Sequence, residues 1–121
     1  MRNIRWALAL LFLSAAPAVA QDCGSDNLTQ QEMNDCAAET LAYADEELNA
    51  VWDSAISYAE GAGVDDMLRD AQRLWIGYRD AACAAEAALY EGGSIAPLIY
   101  AECLTRLTVA RTDDLLFFAA E

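Results

Sequence analysis

Four cysteines, Cys23, Cys36, Cys83 and Cys103, sit behind an apolar leader in a chain of 121 residues that contains no histidine. An even count of cysteines after such a leader reads as a disulfide framework. A zinc site would want two-residue cysteine spacings or histidine partners, and neither occurs. The leader has the secretory form: Arg2 and Arg5 near its start, an uncharged apolar run from Trp6 to Ala16, and Ala18-Val19-Ala20 as the small residues of a cleavage site. That run is shorter than the ~20 residues needed to cross a bilayer as a helix. Cleavage after Ala20 is expected, which makes residues 1–20 a signal peptide and residues 21–121 one mature domain, periplasmic or secreted, with no stable membrane insertion. Gln21 and Asp22 stand where a lipoprotein signal would carry small and apolar residues before Cys23, so lipidation is not expected.

A mature domain of this size buries only a limited core. Two bridges at ~2–4 kcal/mol each are then a large share of a stability of ~5–15 kcal/mol.

The rest of the chain reads as three helices. Thr29-Gln30-Gln31-Glu32 is a capping box. Behind it Ala37, Leu41, Ala44, Leu48, Val51, Ala55 and Tyr58 recur at alternating steps of four and three, the seam of a long amphipathic helix. Gly61-Ala62-Gly63 should end it with a left-handed cap. A second helix is expected from Val64 or Asp65, with Asp65 and Asp66 favoured by the helix dipole. Its seam is predicted along Leu68, Ala71, Trp75, Tyr78, Ala82, Ala85 and Leu89. Gly92-Gly93-Ser94 should end that helix, with Ser94 capping a third and Pro97 in its first turn. Leu98, Leu104, Leu107, Ala110 and Leu115 carry the third helix to about Phe118, where Leu116, Phe117 and Phe118 could dock back on the bundle. No strand pattern or repeat is present. The expected fold is all-α, a small antiparallel three-helix bundle with two disulfides.

Four cysteines allow three pairings. Cys83 and Cys103 lie equally far from a midpoint at Gly93, so on antiparallel helices they can face each other. Cys23 precedes the first helix and Cys36 lies two turns inside it, so the lead-in can fold back along it. The expected bridges are Cys23–Cys36 and Cys83–Cys103.

Charge narrows the function classes. Seven basic residues face 20 acidic ones for a net charge of −13, and loss of Arg2 and Arg5 with the leader takes it to −15. Such a field repels nucleic acid and anionic lipid and steers cationic proteins inward, the more so at low salt. Without histidine, lysine or a free thiol the common nucleophiles and proton shuttles are missing, so catalysis is not expected. Adjacent acids such as Asp65-Asp66 and Asp113-Asp114 read as caps and solvated charge. No calcium loop can be read, and no cofactor or metal is expected.

Two stretches carry further information. In the block from Ala71 to Asp80, Trp75 and Tyr78 lie on the seam and are expected in the core. Arg79 sits beside them, with Asp45 and Asn49 as candidate partners on the first helix. A bidentate Arg79–Asp45 contact would set helix register. The turn Tyr90-Glu91-Gly92-Gly93-Ser94-Ile95, followed by Ala96-Pro97, reads either as a plain connection or as a protruding loop with an exposed Ile95. Anchored by a disulfide, such a loop would be preorganised for a partner's cleft.

Thr29, Glu32, Met33, Asn34 and Cys36, then Ala44-Asp45 with Leu48-Asn49, form the first part of a recognisable pattern. Ala71-Gln72-Arg73, Trp75-Ile76, Tyr78-Arg79-Asp80 and Cys83 continue it, and Gly92-Gly93-Ser94, Cys103 and Arg111 complete it. From Cys23 to about Leu115 the chain resembles the lysozyme inhibitor LprI-like family, formerly a domain of unknown function. The resemblance implies a small secreted helical domain of bacteria, named after a mycobacterial member that inhibits lysozyme. The matching positions Asp45, Asn49, Gln72, Trp75, Arg79 and Asp80 are a signature of the fold, and no inhibitory residue carries over with them. Two functions follow as expectations: occlusion of a cationic, peptidoglycan-cleaving lysozyme, or an envelope interaction module without lysozyme activity. Oligomeric state is left open.

Overall fold

The computed structural model describes residues 22–120. The signal peptide expected at residues 1–20 lies outside them. Three helices follow one another: α1 (Gln30–Ala62), α2 (Asp65–Ala88) and α3 (Ala96–Ala119). They form a bundle with no strand among the described residues, and none of its helices is long and apolar enough to cross a membrane.

The helix boundaries follow from local chemistry. Thr29 caps α1: its hydroxyl accepts from the Glu32 amide at 3.2 Å, and the Glu32 carboxylate accepts from the Thr29 amide at 2.7 Å. Those bonds hold the Glu32 carboxyl below its ordinary value. A depressed carboxyl stabilises the fold above the usual carboxylate range, and the contribution disappears as pH falls through the lowered value. At the other end Gly63 takes φ 75°, and its amide returns to the Ala59 and Glu60 carbonyls. Gly61 remains inside the helix, so the second glycine makes the cap. α2 begins after Val64 without a side-chain cap and ends at Ala88, four residues before Gly92. Ser94 is not the cap of α3. Ile95 occupies that position with no side-chain bond, and Pro97 lies in the first turn as expected.

The long α1 and α3 form the densest pairing. Leu48, Ala55 and Ala59 of α1 meet Leu115 of α3 and Leu68 of α2 in one cluster, with Trp52, Trp75 and Phe118 packed against it. Phe118 docks as expected and meets Tyr58 edge to face at 5.6 Å between centroids. Leu116 and Phe117 point outward instead. A second cluster joins Cys83, Cys103 and Leu104, with Leu41 and Leu107 against it. Both bridges have the expected partners: Cys23–Cys36 with Cα atoms 5.7 Å apart and Cys83–Cys103 at 5.5 Å.

The predicted seam of α2 is corrected. Leu68, Trp75 and Ala82 face the bundle, but Ala71, Tyr78, Ala85 and Leu89 are exposed. The helix is rotated so that Gln72, Arg79 and Cys83 share its inner side, with Cys83 buried and Gln72 and Arg79 half-buried, and Glu86 lies at the edge of that side. The polar members Gln72 and Arg79 find partners on the other helices, which lets the less apolar of the two faces turn inward. In α3, Ala110 is exposed and Thr108 and Thr112 take buried places.

Candidate functional site

The α2–α3 connection is wound rather than floppy. Successive turns bond the Tyr90 amide to the Ala87 carbonyl at 3.0 Å and the Gly93 amide to the Tyr90 carbonyl at 2.9 Å. Gly92 has φ 82°, which an L side chain rarely adopts, and a Cβ on Gly93 would meet the Tyr90 carbonyl at 3.1 Å. From Tyr90 to Ser94 every residue is exposed. The segment is tied down twice. Cys83–Cys103 bridges the helices that it joins, and the Asn34 side-chain amide donates to the Ser94 carbonyl at 3.3 Å. The apolar tip is not Ile95, which is half-buried where α3 starts. Leu89 and Tyr90 present the exposed apolar surface instead.

Beside this end of the bundle a groove of about 420 Å³ opens between the start of α1 and α3. Leu28, Met33 and Leu98 give it apolar walls, the Cys23–Cys36 bridge closes one side, and Glu102 and Arg106 carry charge at its edge. The Thr105 hydroxyl, which lines it, is enclosed without a hydrogen-bond partner. Leu28 and Met33 flank the capping box, so the same local signal that starts α1 sets this wall.

The signature residues do not gather into a cleft. Arg79 lies over the Trp75 ring at 5.1 Å and donates from Nε to Asp80 at 3.0 Å and from Nη1 to the Thr108 hydroxyl at 3.4 Å. Its contact with Asp45 is a single ion pair at 3.7 Å, not the bidentate one expected. Asn49 makes no hydrogen bond to Arg79. It borders a second groove, of about 340 Å³, with Trp52, Gln72 and Ile76. Gln72 accepts from Arg111 Nε at 2.9 Å. Burial acts against the charged form of Arg111, with Asp114 opposing that shift. Arg106 of α3 pairs with Glu86 of α2 at 2.8 Å.

These groups form an interhelical polar layer that ties α2 to α1 and α3 and holds the helices in register, with Arg111 Nη2 enclosed and without a hydrogen-bond partner. Sequence reasoning gave no role to Thr108, Glu86 or Arg106 and met Arg111 only as a position of the family pattern. The available signal was polar residues at steps of three and four, Thr105, Thr108 and Thr112, inside an otherwise apolar helix.

The lysozyme inhibitor LprI family matches residues 20–115. An uncharacterized protein of Rhizobium meliloti (strain 1021) is 35% identical over 95% of this chain and 94% of its own length. No solved structure matches.

Proposed function

The chain belongs to the lysozyme inhibitor LprI family, and from that premise we propose that it binds a cationic, peptidoglycan-cleaving lysozyme outside the cytoplasm. Inhibition is by occlusion, with no chemistry from this chain. The observation that carries the reading is the reach of the family match, which covers α1, α2, most of α3 and both bridges. The charge of −13 supports it, because an acidic surface accelerates encounter with a basic enzyme. Two disulfides in so short a chain suit an oxidising compartment, periplasmic or extracellular.

Within this reading the contact is made by the turn from Leu89 to Ile95. Its turns and its disulfide hold it in one shape, so little ordering entropy is lost on docking. Tyr90 is the expected anchor, since exposed aromatic side chains at the centre of an interface carry much of its energy. The charged flanks then act on the rate of encounter more than on the lifetime of the complex.

The test is a titration of the oxidised mature protein against hen-type lysozyme, following lysis of cell-wall suspensions at low and at physiological salt. Stoichiometric inhibition that survives physiological salt is expected. Tyr90→Ala should weaken it about tenfold or more, which corresponds to ~1.4 kcal/mol or above. Inhibition that vanishes with salt, or that never occurs, would overturn the reading and leave an envelope interaction module in its place.

A further inference from the structure

The two disulfides sit in opposite surroundings. Cys83 and Cys103 are 0% and 2% exposed, packed with Leu104 and covered by Leu41 and Leu107. A thiol cannot reach their sulfur atoms while the helices stay together. Cys23 is exposed and Cys36 half-buried, and both border the open groove of about 420 Å³ between the start of α1 and α3. Thiol–disulfide exchange needs access of a thiolate to one sulfur, so the outer bridge is the one open to it.

The segment that this bridge fastens has little else to hold it. Among the described residues the hydrogen bonds of residues 22–28 stay within the segment. The Gly24 amide donates to Asp22 Oδ1 at 3.1 Å, the Ser25 amide to the Asp22 carbonyl at 3.2 Å, and the Asn27 amide to Ser25 Oγ at 3.3 Å. The Glu39 carboxylate lies 3.8 Å from Cys23 Sγ, but a bridged sulfur has no proton to donate to it. Leu28 is the sole aliphatic side chain of the segment, half-buried where it lines the groove. One partly covered side chain gains little against the entropy of ordering a stretch of turns. The start of α1 does not depend on that stretch. The Thr29–Glu32 capping box closes on itself after it, and Asn34 is tied to the Ser94 carbonyl on the far side of the bundle end.

We propose that Cys23–Cys36 is a redox-sensitive latch on this groove, opened by a dithiol while Cys83–Cys103 stays closed. A thiolate of the dithiol attacks Cys23 Sγ, the bond to Cys36 breaks, and Cys36 leaves as a thiolate that takes up a proton. The second thiol of the reductant gives up its proton and displaces Cys23 from the mixed disulfide. The dithiol ends as a disulfide and the protein gains two thiols, so electrons and protons balance. Residues 22–28 then come away from the bundle. With Leu28 gone from the wall, Met33, Ala37 and Leu98 line a wider groove, with the Cys36 thiol beside them. An oxidant of the same class closes the latch again. The inference does not rest on the proposed function, and no lysozyme enters its test.

The experiment is a dithiothreitol titration of the oxidised mature protein, with alkylation of the thiols formed and assignment of each by mass spectrometry. Cys23 and Cys36 should become alkylated together at a dithiothreitol concentration about tenfold or more below that needed for Cys83 and Cys103. In the selectively reduced protein the backbone order parameters of residues 23–28, measured by NMR relaxation, should fall from roughly 0.85 to below about 0.6. Circular dichroism should show helix content unchanged. Cys23→Ser with Cys36→Ser should loosen the same residues without any reductant. Opening of both bridges together, or of Cys83–Cys103 first, overturns the proposal. Order parameters that stay high once Cys23 and Cys36 are reduced overturn it as well, and so does a loss of helix from α1.

Discussion

Along the α1–α3 seam the buried positions are mostly small or aliphatic: Ala37, Ala44, Leu48, Ala55 and Ala59 on one side, Ala101, Leu104 and Leu115 on the other. The inner side of α2 is different. Only Leu68 and Cys83 are buried there, and Gln72, Arg79 and Glu86 lie between and beyond them. The first pairing relies on close approach and exclusion of water, which are non-directional. The second relies on the apolar contacts of Leu68 and Trp75, one covalent bridge toward the end of the helix, and directional polar links. A small domain can thus hold two helices by packing and position a third by bonds. The third is then the element most easily released by local change, because few apolar contacts resist its opening.

The sharpest way to break this contrast is to strike the packed pair. Leu115 is 1% exposed and joins all three helices in one cluster. Leu115→Ala should remove about 3–4 kcal/mol, seen as a fall in the denaturant midpoint with one cooperative transition. If only α2 loosened, the packed pair would not be the foundation of the fold.

Removing the covalent link comes next. Cys83→Ala with Cys103→Ala should cost about 3 kcal/mol from regained chain entropy. Amide exchange should rise first at the end of α2 and in the turn that follows, ahead of α1. Equal loss of protection in all three helices would show that the bridge supports the whole core and not this attachment.

The smallest effect is expected at the polar layer. Arg79→Ala removes the cation–π contact with Trp75 and the bonds to Asp80 and Thr108, for about 1–2 kcal/mol. Amide exchange in α2 should quicken while the centres of α1 and α3 keep their protection. Unchanged exchange in α2 would mean that the layer fills space without holding the helix.

Much of the fold was legible in local chemistry. The capping box at Thr29, the glycine at 63 and the proline at 97 mark helix ends, because each acts on backbone groups within a few residues of itself. Both bridges followed from helix order and distance along the chain. The Asp45–Arg79 pairing was also legible, although its geometry was not. The candidate site was less so. Ile95 read as exposed, yet the turn winds it against the start of α3 and leaves Leu89 and Tyr90 outward. Periodicity alone does not carry the turn geometry that Gly92 permits.

The rotation of α2 sets the boundary between what sequence and tertiary structure each decided. By itself the sequence determined three helices, their connections, two cross-links, an acidic surface and the family. Its apolar periodicity pointed the Tyr78 arc of α2 at the bundle, whereas the structure turns the Arg79 arc inward. The choice fell to the tertiary structure, since it depends on groups far away along the chain. Asp45, Thr108 and Arg111 are the partners that Arg79 and Gln72 of α2 find on the inner side. A polar group pays for leaving water unless such partners are waiting, and their positions exist only once the helices have packed. The apolar groups of the losing arc were left facing outward as a consequence.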